Sequence, residues 1–236
     1  MMLSAPIFRL KRQARLLARE RQIPIHQALD QVARREGFRT WSHLAASATL
    51  RRPARGILSQ LNPGDLVLLG ARPGHGKTLL GLGLLVEAAR SGRRGFFFTL
   101  DYNEGDVLSR LRALGVDPNT ITSFTLDTSD DICADHVIRR LSEAPGDTVA
   151  VIDYLQLLDQ RRRNPDIADQ IRALKIFASA SGSIIVAISQ IDRSFDLRAK
   201  PLPELSDVRL PNPLDLTLFD KTCFLHEGEV RLSAVA

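Results

Sequence analysis

The sequence predicts an α/β protein, a mostly parallel sheet flanked by helices, preceded by a small all-α module. Three observations point there. From Ile57 onward, short apolar runs alternate with segments of helical periodicity, the pattern of βα units whose strands are buried on both faces. One of the junctions, VLLGARPGHGKT at residues 67–78, breaks an apolar run into a glycine-rich turn that restarts as a helix. The chain has 236 residues and is 44% hydrophobic, enough for one α/β core and an appendage.

The appendage comes first in the chain and carries its basicity. The net charge of +5 divides into +9 over residues 1–55 and −4 over the remainder. Leu10, Ala14 and Leu17 recur at helical spacing, with Arg9, Arg12, Arg15 and Arg19 elsewhere on the wheel. A second helix is expected from about Pro24 to Glu36, stopped by Gly37, and a third from Trp41 to about Ala46, capped by Thr40. Ile25, Leu29, Val32, Phe38, Trp41 and Leu44 are expected to face inward. Residues 1–45 form this three-helix module, and ASATLRRPARG at residues 46–56 reads as a small, basic linker to the domain at 57–236. A basic face of this kind suits contact with nucleic acid or another acidic surface, and equally a solvated face of a packing module.

Within the larger domain, Val67–Leu69 reads as a buried strand and Leu79–Ala89 as the helix after the turn. GFFFTLDYN at residues 95–103 supplies the next strand and its exit, followed by a helix with the stripe Val107, Leu108, Leu111 and Leu114. A strand is expected near 121–126, a helix near 131–142, a strand at TVAVID, a helix near 167–180 and a strand at SIIVAIS. No apolar run approaches the roughly 18 residues of a membrane span, and the arginine-rich start lacks the features of a secretory signal. Cys133 and Cys223 lie far apart without a C-x-x-C partner and read as reduced, buried thiols of a cytoplasmic protein.

The glycine-rich turn is the chemical centre. Ala71, Arg72, Pro73, Gly74, His75, Gly76, Lys77 and Thr78 form a phosphate-binding loop in which backbone N–H groups and a helix N-terminus close around a polyphosphate. Lys77 would reach the β- and γ-phosphates, and the Thr78 hydroxyl would ligate Mg²⁺. His75 either approaches the nucleotide or fills a loop position. Asp153 closes the apolar strand TVAVID, where such folds hold Mg²⁺ and its waters, and is the candidate metal partner of Thr78.

GARPGHGKT, FFFTLD, VIDYLQLL, AISQIDR and LSDVR stand in the order and spacing of the motor domain of DnaB-type replicative helicases, which are RecA-like ATPases. The chain resembles that family over residues 57–226. Ala71, where the general pattern has glycine, is also the residue the family tends to place there. The resemblance implies a RecA-like fold, ATP and Mg²⁺ as cofactors, single-stranded DNA as partner, and a homo-oligomeric ring or a partner helicase. It implies that Asp153 is the metal-associated aspartate and that Gln190 senses the γ-phosphate, a role an amide can fill by exchanging partners. Arg193, Arg198 and Lys200 in the segment after Gln190, with Arg209 in LSDVR, become candidate DNA contacts; the run Arg161–Arg163 is another, unless it is solvated surface.

Departures from the family qualify the activity. Where the family places a water-activating glutamate, this chain has Asp101, and a carboxylate withdrawn by about 1.5 Å can cost roughly 10²-fold in rate. Glu104, one helical turn on, is the substitute catalytic carboxylate. Arg231 is the sole late arginine, without a segment matching the family's arginine finger, and the basic module stands in place of the primase-binding region. The expectation is therefore a DnaB-like homologue that binds ATP, hydrolyses it slowly and acts on DNA, distinct from the main replicative helicase of its cell. The competing readings are an ATP-dependent switch without turnover and an accessory subunit of a larger helicase assembly.

Overall fold

A computed structural model describes residues 7–117, 122–144, 147–159, 164–192, 195, 202–210, 212–226 and 229–235. Three helices open the chain: α1 (Ile7–Arg21), α2 (Ile25–Arg35) and α3 (Trp41–Leu58). The α/β part then runs β1 (Leu66–Ala71), α4 (Lys77–Arg90), β2 (Arg94–Thr99), α5 (Glu104–Ala113), β3 (Phe124–Asp127), α6 (Ala134–Ser142), β4 (Thr148–Asp153), α7 (Ile167–Ser181), β5 (Ile184–Gln190), β6 (Lys221–His226) and β7 (Glu229–Ala234).

The strands form one seven-stranded sheet in the order β3-β2-β4-β5-β1-β6-β7. Every pairing is parallel except the terminal β6–β7 hairpin. The carboxyl ends of β1, β2, β4 and β5 therefore meet at one edge, where open α/β sheets place their ligands. β1, β4 and β5 are buried along nearly their whole length because helices cover both faces.

Alternation along the strands divides the interior. Val67, Leu69, Val149, Val151, Val186 and Ile188 face α4 and α5, whereas Leu66, Leu68, Ala150, Ile152, Ile185 and Ala187 face α6 and α7. On α4, a Cβ at Gly81 would stand 3.0 Å from both the Ile188 and Val151 side chains, a tight contact that glycine spares where the helix meets the central strands.

The N-terminal module has its own core of Leu10, Ala14, Leu17, Ala28, Val32, Ala33, Phe38 and Leu44, with Trp41 and Leu29 half-buried against it. Ile25 is a correction to the expected inward set: it sits in the first turn of α2, 46% exposed. The Asp30 carboxylate accepts from the Trp41 N–H at 2.8 Å, tying α2 to the start of α3.

The larger correction concerns the third helix, expected to end near Ala46. Residues 46–56, read as a linker, are helical and form the body of α3, which continues to Leu58 with Pro53 inside it. Its alanine, leucine and arginine content favours helix, and both ends are anchored. Leu44 lies in the module's core, while Ala54, Ile57 and Leu58 lie in the core that α4 covers. Ala113 of α5 also packs against the module, so the appendage leans on the larger domain at two places.

Cys223 is buried in β6 as expected, and burial pushes its thiol up to about 12. Cys133 is only half-buried, because it occupies the N-cap of α6 rather than a core position. No helix among the described residues is long and apolar enough to cross a membrane.

Candidate functional site

β1 delivers the chain to the carboxyl edge of the sheet at Ala71, and α4 departs from it at Lys77. The turn between them depends on two glycines. Gly74 and Gly76 have φ of 81° and 88°, the left-handed region that side chains with a Cβ disfavour. Gly76 serves as N-cap of α4, with its carbonyl accepting from the Leu80 N–H at 2.8 Å, while the His75 N–H closes a turn on the Arg72 carbonyl at 3.2 Å. Arg72, His75, Gly76 and Lys77 are half-buried, Pro73 and Gly74 are exposed, and Thr78 is buried. The turn thus leads into the N-terminal, positive end of a helix, where main-chain N–H groups can hold an anion.

Asp153 lies at the end of β4, in register with Thr99 of β2 and Ile188 of β5. Its side chain is buried, at 1% exposure, and takes a hydrogen bond from the Thr78 side chain. Oδ2 has no hydrogen-bond partner among the described residues. Burial raises the pKa of this carboxyl and the charge of Asp101 adds to the rise; the Thr78 hydrogen bond and the positive charges of Lys77 and Arg110 oppose it. A buried carboxylate with one oxygen unpaired is expensive on its own and suits a site completed by a cation or its water shell. Among the described residues no group of three or more His, Cys, Asp or Glu gathers, and Mg²⁺ needs none, since it is held by one or two protein oxygens plus phosphate and water.

Asp101 follows β2, with its N–H donating to the Thr99 hydroxyl at 3.2 Å and its side chain exposed. Its charge acts on Asp153 and, together with burial, raises the pKa of Tyr154. Glu104 is exposed in the first turn of α5, which Asn103 and Asp106 close as a reciprocal capping box. Arg110, further along α5, stacks on Tyr102 with its guanidinium 3.9 Å from the ring centroid.

Gln190 ends β5 beside Ala71 of β1. Its carbonyl accepts from the Arg209 N–H at 2.8 Å, Ile191 bridges Val208, and the Asp192 N–H donates to the Asp207 carbonyl at 2.7 Å. Gln156 Nε2 adds a 3.0 Å bond to the Arg209 carbonyl. Exposed Arg209 is thus brought to the glutamine, and its charge reaches Tyr154. Arg193, Arg198, Lys200 and Arg161–Arg163 lie outside the described residues. Arg231 is exposed on β7, paired in register with Phe224.

Sequence reasoning missed two aromatic groups at this edge. His226, at the end of β6, stacks on His75 with ring centroids 4.6 Å apart and an interplanar angle of 22°. Phe195 meets His226 edge-on at 6.1 Å. Period-2 alternation places His226 on the same face as Phe224, but that β6 adjoins the phosphate loop follows only from strand order.

The sheet order and its covering helices define a RecA-like fold. Solved structures share the fold. A DnaB-like replicative helicase, whose structure was described with its interactions with primase, gives a TM-score of 0.59 at 20% identity, over 74% of this chain and 52% of that one. A KaiC-like protein of the hyperthermophilic archaeon Pyrococcus horikoshii gives 0.52 at 17% identity, over 68% of this chain and 70% of that one.

Residues 122–216 match the family model of the DnaB-like helicase C terminal domain. The replicative DNA helicase DnaB of Helicobacter pylori (strain J99) is 30% identical over 207 residues, which is 73% of this chain and 42% of the relative. That of Leifsonia xyli subsp. xyli is 28% identical over 185 residues, 65% of this chain and 40% of the relative. The likeness to the C-terminal motor domain of DnaB-type helicases thus holds in both sequence and fold, over about two fifths of these relatives' length.

Proposed function

We propose that this chain binds Mg²⁺·ATP at the β1–α4 loop, hydrolyses it slowly and acts on DNA as a DnaB-like helicase homologue. The observation that carries the reading is the buried Asp153 carboxylate, which takes a hydrogen bond from the Thr78 side chain and has no partner at Oδ2 among the described residues. When bound, Mg²⁺ supplies charge neutralisation for a transferring phosphoryl group. Thr78 and Asp153 would hold the ion or its waters, Gly74 and Gly76 admit the phosphates to the main-chain N–H groups, and Lys77 lies where it can balance phosphate charge. His75, which either approaches the nucleotide or fills a loop position, has the His226 ring as its stacking partner.

Asp101 is the better placed of the two candidate bases, since its charge is felt at both Asp153 and Tyr154. Its short side chain supports slow turnover. Gln190 is the candidate γ-phosphate sensor, because it joins the loop-bearing strand β1 on one side and the Arg209 segment on the other. DNA contact rests on Arg209 together with the exposed row Arg12, Arg15 and Arg19 of α1. Arg193, Arg198 and Lys200 extend that surface on sequence grounds. Single-stranded DNA as the form bound, assembly as a ring or with a partner helicase, and a cytoplasmic setting complete the proposal.

A second reading, an ATP-dependent switch without turnover, is favoured by one observation: Gln190, Ile191 and Asp192 pair through the main chain with residues 207–209, which ties the end of β5 to the Arg209 segment. Steady-state ATP hydrolysis with and without single-stranded DNA, beside Lys77→Ala, separates the two. Turnover that DNA stimulates and Lys77→Ala abolishes supports the motor. Nucleotide binding with turnover no higher than the Lys77→Ala control supports the switch.

A further inference from the structure

The phosphate loop is held from below by its own strand and from the side by a strand that ordinary loop chemistry does not use. β6 lies beside β1 in parallel register, Gly70 opposite Phe224 and Ala71 opposite Leu225. Phe224 and His226 project to one face, by the two-residue period of a strand. Phe224 covers β1 so closely that a Cβ at Gly70 would stand 2.7 Å from its ring. One step further along the same face, His226 is 4% exposed and carries His75 on its ring. Phe195, 5% exposed, meets the same imidazole edge-on and belongs to the cluster that includes Phe224, Ile191 and Val208.

Three rings are therefore in sequence: one from the phosphate loop, one from β6 and one from the chain that follows Gln190. Flat stacked rings fix both the separation and the tilt of the groups that bear them, whereas an aliphatic contact fixes only separation. His75 adjoins Gly76 and Lys77, so its tilt bears on the backbone of the loop.

Resting on the nucleotide-site reading above, we propose that His226 is a positioning residue: it sets the phosphate loop through His75 and couples nucleotide occupancy to the chain after Gln190 through Phe195. One side chain touches both elements, so a ligand that biases one of them would bias the other. The chemistry recognised is that of a nucleoside triphosphate, whose occupancy of the loop is felt at His75. Removing the middle ring should loosen the loop and disconnect it from the Phe195 segment. Removing the last ring should disconnect the segment and leave the loop set.

The test uses the full chain, a fluorescent ATP analogue with Mg²⁺, and amide exchange of peptides covering residues 191–200. His226→Ala should weaken nucleotide binding about three- to tenfold, the size an aromatic stack contributes. His226→Phe, which keeps a flat ring, should restore it to within about twofold, a rescue that mere filling of space by His226→Leu should not give. Phe195→Ala should leave affinity within about twofold and abolish the protection that nucleotide confers on residues 191–200. His75→Ala, made on a half-buried loop position, should reproduce the His226→Ala loss and decides the matter where the β6 variant fails to fold. Wild-type affinity in both His226→Ala and His75→Ala, or rescue by leucine as good as by phenylalanine, would overturn the inference. Equal binding by wild type and Lys77→Ala, or no binding by wild type, would instead overturn the nucleotide site itself and the brace with it.

Discussion

The carboxyl edge of the sheet and the N-terminal helical module are built on opposite terms. At the sheet edge, side chains are placed by parallel strands whose ends register one against another: Ala71 beside Gln190, Thr99 beside Asp153. Few groups are involved, and their neighbours are fixed by that register. In the module, eight residues make a small core and the exposed faces carry the charge, including Lys11, Arg12, Arg15, Arg19, Arg34, Arg35 and Arg39. A site made by register depends on single atoms; a surface made by charge depends on sums. Single substitutions should therefore act strongly on the first and weakly, additively, on the second.

The largest effect should come from lengthening a side chain at the edge. Asp101→Glu restores the reach of a carboxylate to the attacking water, and steady-state turnover should rise about tenfold or more, within the roughly 10² that a misplacement of this size costs. Unchanged turnover would remove Asp101 from the mechanism and turn attention to Glu104.

Next in size is the cost of the buried carboxylate. Asp153 has a raised pKa, so in the nucleotide-free protein its protonated form favours the fold and its ionised form opposes it. That contribution is fully present below the ordinary value of 3.8 and is lost as the pH rises through the elevated folded value. Asp153→Asn should therefore melt higher than wild type at about pH 7, by about 2–4 °C for each kcal/mol recovered in a chain of this size. The advantage should shrink as the pH falls towards 3.8, and the variant should lose Mg²⁺-dependent nucleotide binding. A lower melting point at neutral pH would mean that the carboxylate is a structural anchor.

On the module, Arg12→Ala, Arg15→Ala and Arg19→Ala should each weaken DNA binding modestly, whatever the sequence, and lower the salt-dependence slope by about 1. A single variant that abolishes binding would imply a sharper site than a charge surface. Smallest of all, Ile25→Ser should change stability by less than about 0.5 kcal/mol, since the side chain is exposed; a larger loss in denaturant unfolding would return Ile25 to a core.

Legibility followed the same division. The turn between β1 and α4 could be read because Gly74, Gly76, Lys77 and Thr78 fall between an apolar run and a helical one, and the left-handed backbone at Gly74 and Gly76 favours glycine. Asp153 could be placed at the end of β4 because the apolar run TVAVID stops there; any strand can end in Asp, and only its pairing with the glycine-rich turn makes a metal role worth proposing. The run at residues 46–56 was harder: its polar, proline-bearing composition suits a linker, and only anchoring at Leu44 and at Ala54, Ile57 and Leu58 makes it one helix. Ile25 misled because helical periodicity shows which residues share a face but not whether another element covers it. The His75–His226–Phe195 contact joins residues 75, 195 and 226, and no local pattern carries information across such separations. The β6–β7 hairpin escaped for a related reason, its second strand being half polar and exposed at the sheet edge.

A Mg²⁺-dependent nucleotide site at the β1–α4 loop and Asp153 would show itself in calorimetric titration of ATP into wild type and Lys77→Ala, each with Mg²⁺ and with EDTA. Saturable binding by wild type that weakens at least about tenfold in EDTA and is lost in Lys77→Ala is the predicted result. Binding of equal strength in all four titrations, or none in wild type with Mg²⁺, would contradict it.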